Sequence, residues 1–381
     1  MNMTYAPTER SPCSKSCAAS KTATVPDWVA DSADLEASET FRSSNNLETI
    51  EMTQTKLKRR TVLSSLGATM LSTLASPTLA QSAAFPNRPI KIIVPWAAGG
   101  GGDVIVRLMG TSLQKRLGQA IVVDNRPGAV GTIGSVAAAR SPADGYTLVY
   151  GGMESHTIAP HAMKRAPYDP KKEFVAIAPL GFFPAALVVS ASHPAKNLSQ
   201  FLQMAKDAKT PMSFGSWSTA TSGHLMMEAL KVAKSVDLLH VPYNGTAPLL
   251  NAQLSQQVDC SINVLSTVEP HIRSGTLRLL AVSMPQRLPE FPDVPTLKEI
   301  GLSVERGPWV GIFGPAGMPE DVISRVHEAV DATLKEPAVV EQTKKMFFVV
   351  EHMDQRTYQN FYFSEIDRWG QYVKTAKVAI E

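Results

Sequence analysis

The feature that most constrains the fold of this chain is an alternation of short apolar runs with helix-like periodicity, which begins near Phe85. The run at 90–94 is typical of a buried strand, and apolar residues at helical spacing follow it over 105–117. Further apolar runs lie at 121–123 and 147–150, separated by a segment rich in small residues. This strand–helix–strand order predicts a parallel, right-handed α/β sheet.

A second series of the same kind predicts a second α/β unit, with connections near 185–189 and 308–310. We therefore expect a two-lobed fold in which lobe 1 comprises 85–187 and 309–381 and lobe 2 comprises 188–308. Ligands bind outside the carboxyl ends of strands in open α/β sheets, so the cleft between the two lobes is the expected ligand site.

The first 80 residues have the composition of a leader rather than of a folded domain. Residues 1–51 are rich in Ser, Thr and Ala without periodicity, so they are either a disordered extension or a gene start placed too far upstream. Residues 52–80 have the order of a secretory signal peptide: a basic run at 56–60, a short charge-free stretch, and small residues suited to cleavage after Ala80. The sequence therefore predicts export to the periplasm.

Two export routes stay open. The pair Arg59-Arg60 favours the twin-arginine route. Against that route, Lys58 precedes the pair and Val62 stands where Phe is usual, so the general secretory route is an equal alternative.

Composition and motifs argue against several functional classes. The net charge of +3 is too small to indicate nucleic-acid binding, and three cysteines provide neither a disulfide framework nor a Cys-rich metal site. The glycine run at 99–102 lacks both the dinucleotide pattern, since Val104 occupies the third glycine position, and the Gly-Lys-Ser/Thr of a phosphate loop. We expect no cofactor, no metal and no catalytic residues, hence a protein that is not an enzyme.

Three polar or glycine-rich loops follow predicted strands: the run ending at Asp103, the segment 151–157 and the segment 216–223. Each is consistent with an ordinary turn and helix cap. However, backbone N–H groups and helix N-termini attract carboxylates as well as phosphates. Three such loops at strand ends favour one shared anion site.

Several motifs in order resemble a known family. They are F-P-N-R-P-I-K-I-I-V-P-W-A-A-G-G-G-G-D at 85–103, N-R-P-G-A at 125–129, S-P-A-D-G-Y-T-L at 141–148, F-G-S-W-S at 214–218, H-V-P-Y-N-G-T-A-P at 240–248, H-I-R-S-G-T-L-R-L-L-A-V at 271–282 and P-D-V-P-T-L-K-E-I-G at 292–301. The chain resembles the Bug family of extracytoplasmic solute receptors, the binding components of tripartite tricarboxylate transporters.

The resemblance implies a type II-like periplasmic binding fold that closes around a small carboxylate, such as a di- or tricarboxylate or a related organic acid. It implies a monomer that delivers this ligand to the transporter's membrane subunits. An exported ligand sensor, or less readily an enzyme, on the same scaffold is the alternative.

The resemblance also assigns ligand-binding positions. They are Trp96, Ala98, Gly99, Gly101 and Asp103 in the first loop, Glu154 and Ser155 after the third strand, and Ser216, Ser218, Thr219, Tyr243 and Asn263 in the second lobe. Three of these depart from the family pattern, which more often has Phe at 96, a small or hydroxyl residue at 154 and an acidic residue at 263. Because Glu154 is acidic, the ligand is expected to carry a hydrogen-bond donor or a positive group.

Overall fold

The protein is described by a computed structural model that covers residues 84–380. The predictions made for residues 1–51 and 52–80 lie outside the described residues.

The strands are β1 Ile90–Val94, β2 Ile121–Asn125, β3 Thr147–Gly152, β4 Phe174–Phe182, β5 Ala185–Ser190, β6 Met212–Ser216, β7 Leu238–Pro242, β8 Cys260–Val264, β9 Leu277–Val282, β10 Trp309–Pro315 and β11 Val349–Val350. The α-helices are α1 Gly101–Leu117, α2 Thr132–Ala139, α3 Ala159–Ala162, α4 Pro170–Glu173, α5 Leu198–Asp207, α6 Ser222–Lys234, α7 Thr246–Leu254, α8 Leu265–Arg273, α9 Glu320–Leu334, α10 Pro337–Lys345 and α11 Gln355–Ala376.

The strands form two sheets. The first has the order β11-β4-β10-β3-β1-β2, and the second has the order β7-β6-β8-β5-β9. In the first sheet β1 is parallel to β2 and β3, as the strand–helix alternation predicts, and β6 is likewise parallel to β7 and β8. Both sheets are nevertheless mixed, because β10 and β5 run antiparallel to their neighbours.

The antiparallel strands come from the two places where the chain passes between the sheets. The chain leaves the first sheet after β4 and enters the second with β5, so the predicted lobe boundary at 187/188 falls inside β5. The crossing segments are hydrogen-bonded to each other: the Phe183 N–H donates to the Pro308 carbonyl at 3.0 Å and the Ser283 N–H to the Ala185 carbonyl at 2.8 Å. The two lobes are thus joined by two hydrogen-bonded crossing segments, 183–185 and 283–308, whose paired ends are called the hinge below.

Strand β4 is absent from the sequence-based interpretation although it lies between β10 and β11. It contains Pro179 and Gly181, residues that normally argue against an inner strand. The ladder accommodates them with irregular register against β10. Burial of nearly all its side chains stabilises the strand despite these residues.

The long C-terminal helix α11 packs on the first sheet through an aromatic stripe. Tyr358, Tyr362 and Trp369 are each at most 2% exposed, so the stripe is part of the core. The same helix also contacts α6, which belongs to the second unit. Among residues 84–380, no helix is long and apolar enough to cross a membrane.

Candidate functional site

The first glycine loop connects the end of β1 to the start of α1. The N-cap residue of α1 is Gly100, which leaves the first-turn N–H groups without a cap of its own. Gly99 adopts a φ of +79°, a left-handed conformation that glycine takes at little cost. The predicted ligand residues Ala98, Gly99 and Gly101 are exposed, so this loop presents backbone donors at the positive end of a helix.

Asp103 holds this loop in place. Its Oδ2 accepts a hydrogen bond from the Gly99 N–H at 2.9 Å, and its Oδ1 accepts from Arg107 Nε at 2.9 Å and Asn125 Nδ2 at 3.0 Å. The Arg107 hydrogen bond, helped by those from Gly99 and Asn125, lowers the pKa of Asp103 to about 2. The same Asn125 amide donates to the Trp96 carbonyl at 3.2 Å. Asp103 therefore organises the loop, while its predicted contact with ligand stays a prediction.

Replacing Asp103 with Asn should destabilise the protein at neutral pH by about 1–3 kcal/mol, because a neutral amide cannot accept from all three donors. The folded-state pKa lies below the ordinary value, so the carboxylate's contribution is full above about pH 4 and is lost as the pH falls through 2. Urea unfolding should show a difference in the free energy of unfolding between wild type and variant that becomes smaller as the pH is lowered. The control is Asp144→Asn at an exposed ion pair, which should cost well under 1 kcal/mol; equal losses in both variants would refute the bracing role.

The segment 128–131 is a second part of the site in the first lobe. It is not among the residues predicted from the sequence to bind ligand. All four residues have positive φ, including Val130 at 54°, a strained conformation for a β-branched side chain. A Cβ added at Gly131 would lie 3.0 Å from the Ser155 Cβ and 3.4 Å from the Trp96 ring. The glycine therefore allows Trp96 and Ser155 to pack closely against this turn.

Ser155 lies in a π-helical turn, Met153–Ile158, where the sequence predicts a loop. Its hydroxyl is 2.9 Å from His156 Nδ1, and its carbonyl accepts a hydrogen bond from the Tyr168 hydroxyl. His156 is fully buried and stacks on Phe313, with ring centroids 4.5 Å apart. Burial lowers the pKa of His156 to about 3, so the imidazole beside Ser155 is neutral.

Glu154 reaches from the first lobe to the second. The Ser222 N–H donates to its Oε2 at 2.9 Å, and the Ser222 hydroxyl donates to its Oε1 at 2.8 Å. Ser222 is the first residue of α6, and the preceding Thr221 donates its hydroxyl to the Ser218 carbonyl instead of capping the helix. Glu154 therefore acts as the cap of a helix in the other lobe. Burial raises the pKa of Glu154 to about 7, although hydrogen bonds from Ser222 and the Trp217 side chain lower it.

The second-lobe loop that follows β6 is held by a serine–histidine contact. The Ser216 hydroxyl donates to the Ser218 carbonyl at 3.0 Å and lies 2.7 Å from His240 Nε2. The His240 ring stacks on His224 with centroids 3.7 Å apart. Burial, and next the neighbouring His224, lower the pKa of His240 to about 4, so it supplies no charge to this loop at neutral pH.

The structure thus connects most of the predicted site residues. Trp96 and Ser155 meet around Gly131, and Glu154, next to Ser155 in the chain, is joined to the loop of Ser216, Ser218 and Thr219 through Ser222. The Tyr243 N–H donates to the Ser216 carbonyl at 2.9 Å, which places Tyr243 beside the same loop. Asn263 is fully buried, donates to the Thr246 carbonyl at 3.4 Å and accepts from the Val264 N–H, so it braces the start of α7.

Sequence reasoning missed the residues that make these connections, namely Asn125, Gly131, Trp217 and Ser222. Asn125 and Trp217 belong to the quoted motifs N-R-P-G-A and F-G-S-W-S, which was the available signal. Across residues 84–380, no set of three or more His, Cys, Asp or Glu side chains is arranged to hold a metal ion.

Comparison with known proteins places these features in context. The family model described as the tripartite tricarboxylate transporter family receptor matches residues 105–378. Protein BugT of Bordetella pertussis is 32% identical over 309 residues, which cover 79% of this chain and 92% of BugT. A UPF0065 protein of the same organism is 33% identical over 272 residues, covering 71% of this chain and 84% of the relative.

Solved structures of similar chains share the fold. The periplasmic binding protein BugD is 30% identical with a TM-score of 0.67, covering 78% of this chain and 100% of BugD. An R. palustris protein solved with adipate is 28% identical with a TM-score of 0.69, covering 77% and 99%. MatC from Rhodopseudomonas palustris, solved with bound malate, is 29% identical with a TM-score of 0.65, covering 76% and 100%. These likenesses confirm the predicted two-lobed periplasmic binding fold.

Proposed function

This chain belongs to the Bug-type receptor family of tripartite tricarboxylate transporters, and on that premise we propose that it is a periplasmic receptor for a small carboxylate. The observation that carries the proposal is the glycine loop at the start of α1, whose helix N-terminus has no cap of its own. The three loops predicted to line the cleft, 94–103, 151–157 and 216–223, contain no Arg or Lys. Backbone N–H groups and hydroxyls are therefore the hydrogen-bond donors that these loops provide. The adipate and malate found in related structures support the carboxylate class.

Capture would proceed by closure of the lobes about the hinge. A ligand that contacts both lobes favours the closed state by its differential affinity, and the Glu154–Ser222 hydrogen bonds would add to that state because they join the two lobes. The closed form would then deliver the bound carboxylate ligand to the membrane subunits of a tripartite transporter. Export of the protein by the signal predicted at 52–80 would place this step in the periplasm.

The proposed site is tested by placing a charge in the first loop. Replacing Ala98 with Asp should weaken carboxylate binding at least tenfold, because the new anion repels the ligand and competes for the first-turn N–H groups of α1. Ala98 is exposed, so the substitution should leave the fold intact. Isothermal titration with malate, adipate, butanoate and hexanoate measures the effect.

The matched control is Ala98→Asn, which has nearly the same size without the charge and should bind within about threefold of wild type. Equal losses in the Asp and Asn variants would point to a steric effect and reject the anion site. If no acid binds wild type or raises its melting temperature, the receptor proposal itself fails.

A further inference from the structure

The cleft contains two helix N-termini, and they differ in which groups accept hydrogen bonds from their first-turn N–H groups. The α1 end is contributed by the first lobe and has only Gly100 at its cap position. The α6 end is contributed by the second lobe, and there the Glu154 carboxylate accepts both the N–H and the hydroxyl of Ser222. At α1 the Asp103 carboxylate accepts the Gly99 N–H, which precedes the helix, so the first-turn N–H groups are left for a ligand. At α6 the Glu154 carboxylate already accepts the first-turn N–H of Ser222.

These two positions belong to the same cleft. Glu154 directly precedes Ser155, whose Cβ lies 3.0 Å from a Cβ built at Gly131, and the Trp96 ring lies beside the same glycine. Trp96 in turn is held by Asn125, which also donates to Asp103 in the first turn of α1. A continuous set of contacts thus runs from the α1 loop to Glu154 at the α6 end.

The arrangement at α6 disfavours a second ligand carboxylate. Such a group would have to displace the Glu154 carboxylate from its two hydrogen bonds with Ser222 at the α6 N-terminus. Glu154 is only 9% exposed and the Trp217 ring packs over Gly223, so this helix end is already covered by the protein's own side chains.

We propose that Glu154 is the specificity-determining residue of this receptor: it supplies the carboxylate that α6 holds and so restricts the ligand to acids with a single carboxylate. The ligand carboxylate binds the α1 loop, and the opposite end of the ligand is uncharged or carries a hydrogen-bond donor that faces Glu154 and Trp217. This inference rests on the proposed function and names its ligand class. It separates this chain from the relatives solved with the dicarboxylates adipate and malate.

The test compares acids that differ only at the far end, hexanoate with adipate and butanoate with succinate, by isothermal titration. Wild type should bind each monocarboxylate at least tenfold more tightly than the dicarboxylate of equal length. Glu154→Ser removes the internal carboxylate and frees the Ser222 N–H, so adipate or succinate affinity should rise at least tenfold and the preference should reverse.

Glu154→Gln is the matched control. Its amide has the size and shape to keep the place at Ser222 without a charge, so dicarboxylate affinity should rise less than threefold. A tenfold rise in the Gln variant would show that charge alone sets the preference and would overturn the claim that occupancy of α6 does.

The failures of the two proposals are distinguishable. If wild type binds dicarboxylates as tightly as monocarboxylates, or if the Ser variant binds acids with an unchanged preference, Glu154 does not set the ligand class although the receptor function stands. If none of these acids binds wild type or either variant, the receptor function fails together with this inference. The wild-type comparison remains decisive even if the Ser variant does not fold.

Discussion

Replacing Gly152 with alanine is expected to lower the free energy of unfolding by about 3 kcal/mol or more, or to prevent folding of the first lobe. A Cβ at this position would lie within 3.0 Å of two backbone atoms of β10, the Trp309 carbonyl oxygen and the Val310 Cα. Backbone atoms cannot rotate away as a side chain can. Strand β10 also cannot retreat, because β4 is paired with its other edge.

Gly110→Ala is the matched control for this substitution. Gly110 lies inside α1, and a Cβ there would have no heavy atom within 4 Å among its described surroundings. Alanine in a helix interior is favoured over glycine by about 0.5–1 kcal/mol, so this variant should be slightly more stable than wild type. Urea unfolding followed by circular dichroism gives both values. Similar results for the two variants would contradict the close packing of β3 on β10.

Truncation of Trp309 to alanine should cost about 3–5 kcal/mol, as expected for the loss of a large buried side chain. Trp309 is 1% exposed, and its ring packs edge-on against Phe361 with centroids 5.1 Å apart. Its indole N–H donates to Glu365 Oε2 at 2.9 Å, an oxygen that also accepts from Trp369 at 3.0 Å. The substitution therefore removes packing and one donor from a buried carboxylate.

Trp309→Phe separates these two effects. The phenyl ring retains most of the packing, so the remaining loss of about 1–3 kcal/mol comes from the missing donor. Burial already raises the pKa of Glu365, and loss of a donor should raise it further. A raised folded-state pKa means that stability is lost as the pH increases, so the Phe variant should fall further below wild type at pH 8 than at pH 5. A Phe variant as stable as wild type at both pH values would exclude the proposed role of the indole N–H.

The fold follows from the sequence where the signal is local. The strands β1, β2 and β3 and the helix α1 are visible in the spacing of their apolar residues, most of which are buried in β1, β3 and α1. Strand β4 is not visible, because Pro179 and Gly181 contradict strand propensity and only tertiary burial outweighs them. The mixed character of the sheets is also invisible, because it depends on which sheet each crossing segment joins.

The candidate site, like the fold, is predictable from the sequence only in part. The loops that follow strands are predictable, since α/β topology places them at one edge of each sheet. The hydrogen bonds between Glu154 and Ser222 are not predictable, because the two residues are 68 positions apart in sequence and belong to different lobes. The turn at 128–131 is not predictable either, because Ala129 and Val130 are residue types that rarely adopt the left-handed backbone conformation they have here.

The short connection between β4 and β5 allows even a weak contact between the lobes to affect their arrangement. Only Phe183 and Pro184 separate the two strands, and a second crossing segment is hydrogen-bonded alongside. A tether of this kind keeps the partners at a high effective concentration, on the order of millimolar or above for short flexible linkers. A pair of hydrogen bonds such as those of Glu154 would hold two free domains together only rarely. Within one tethered molecule, the same pair would be enough to shift the balance between the proposed open and closed states.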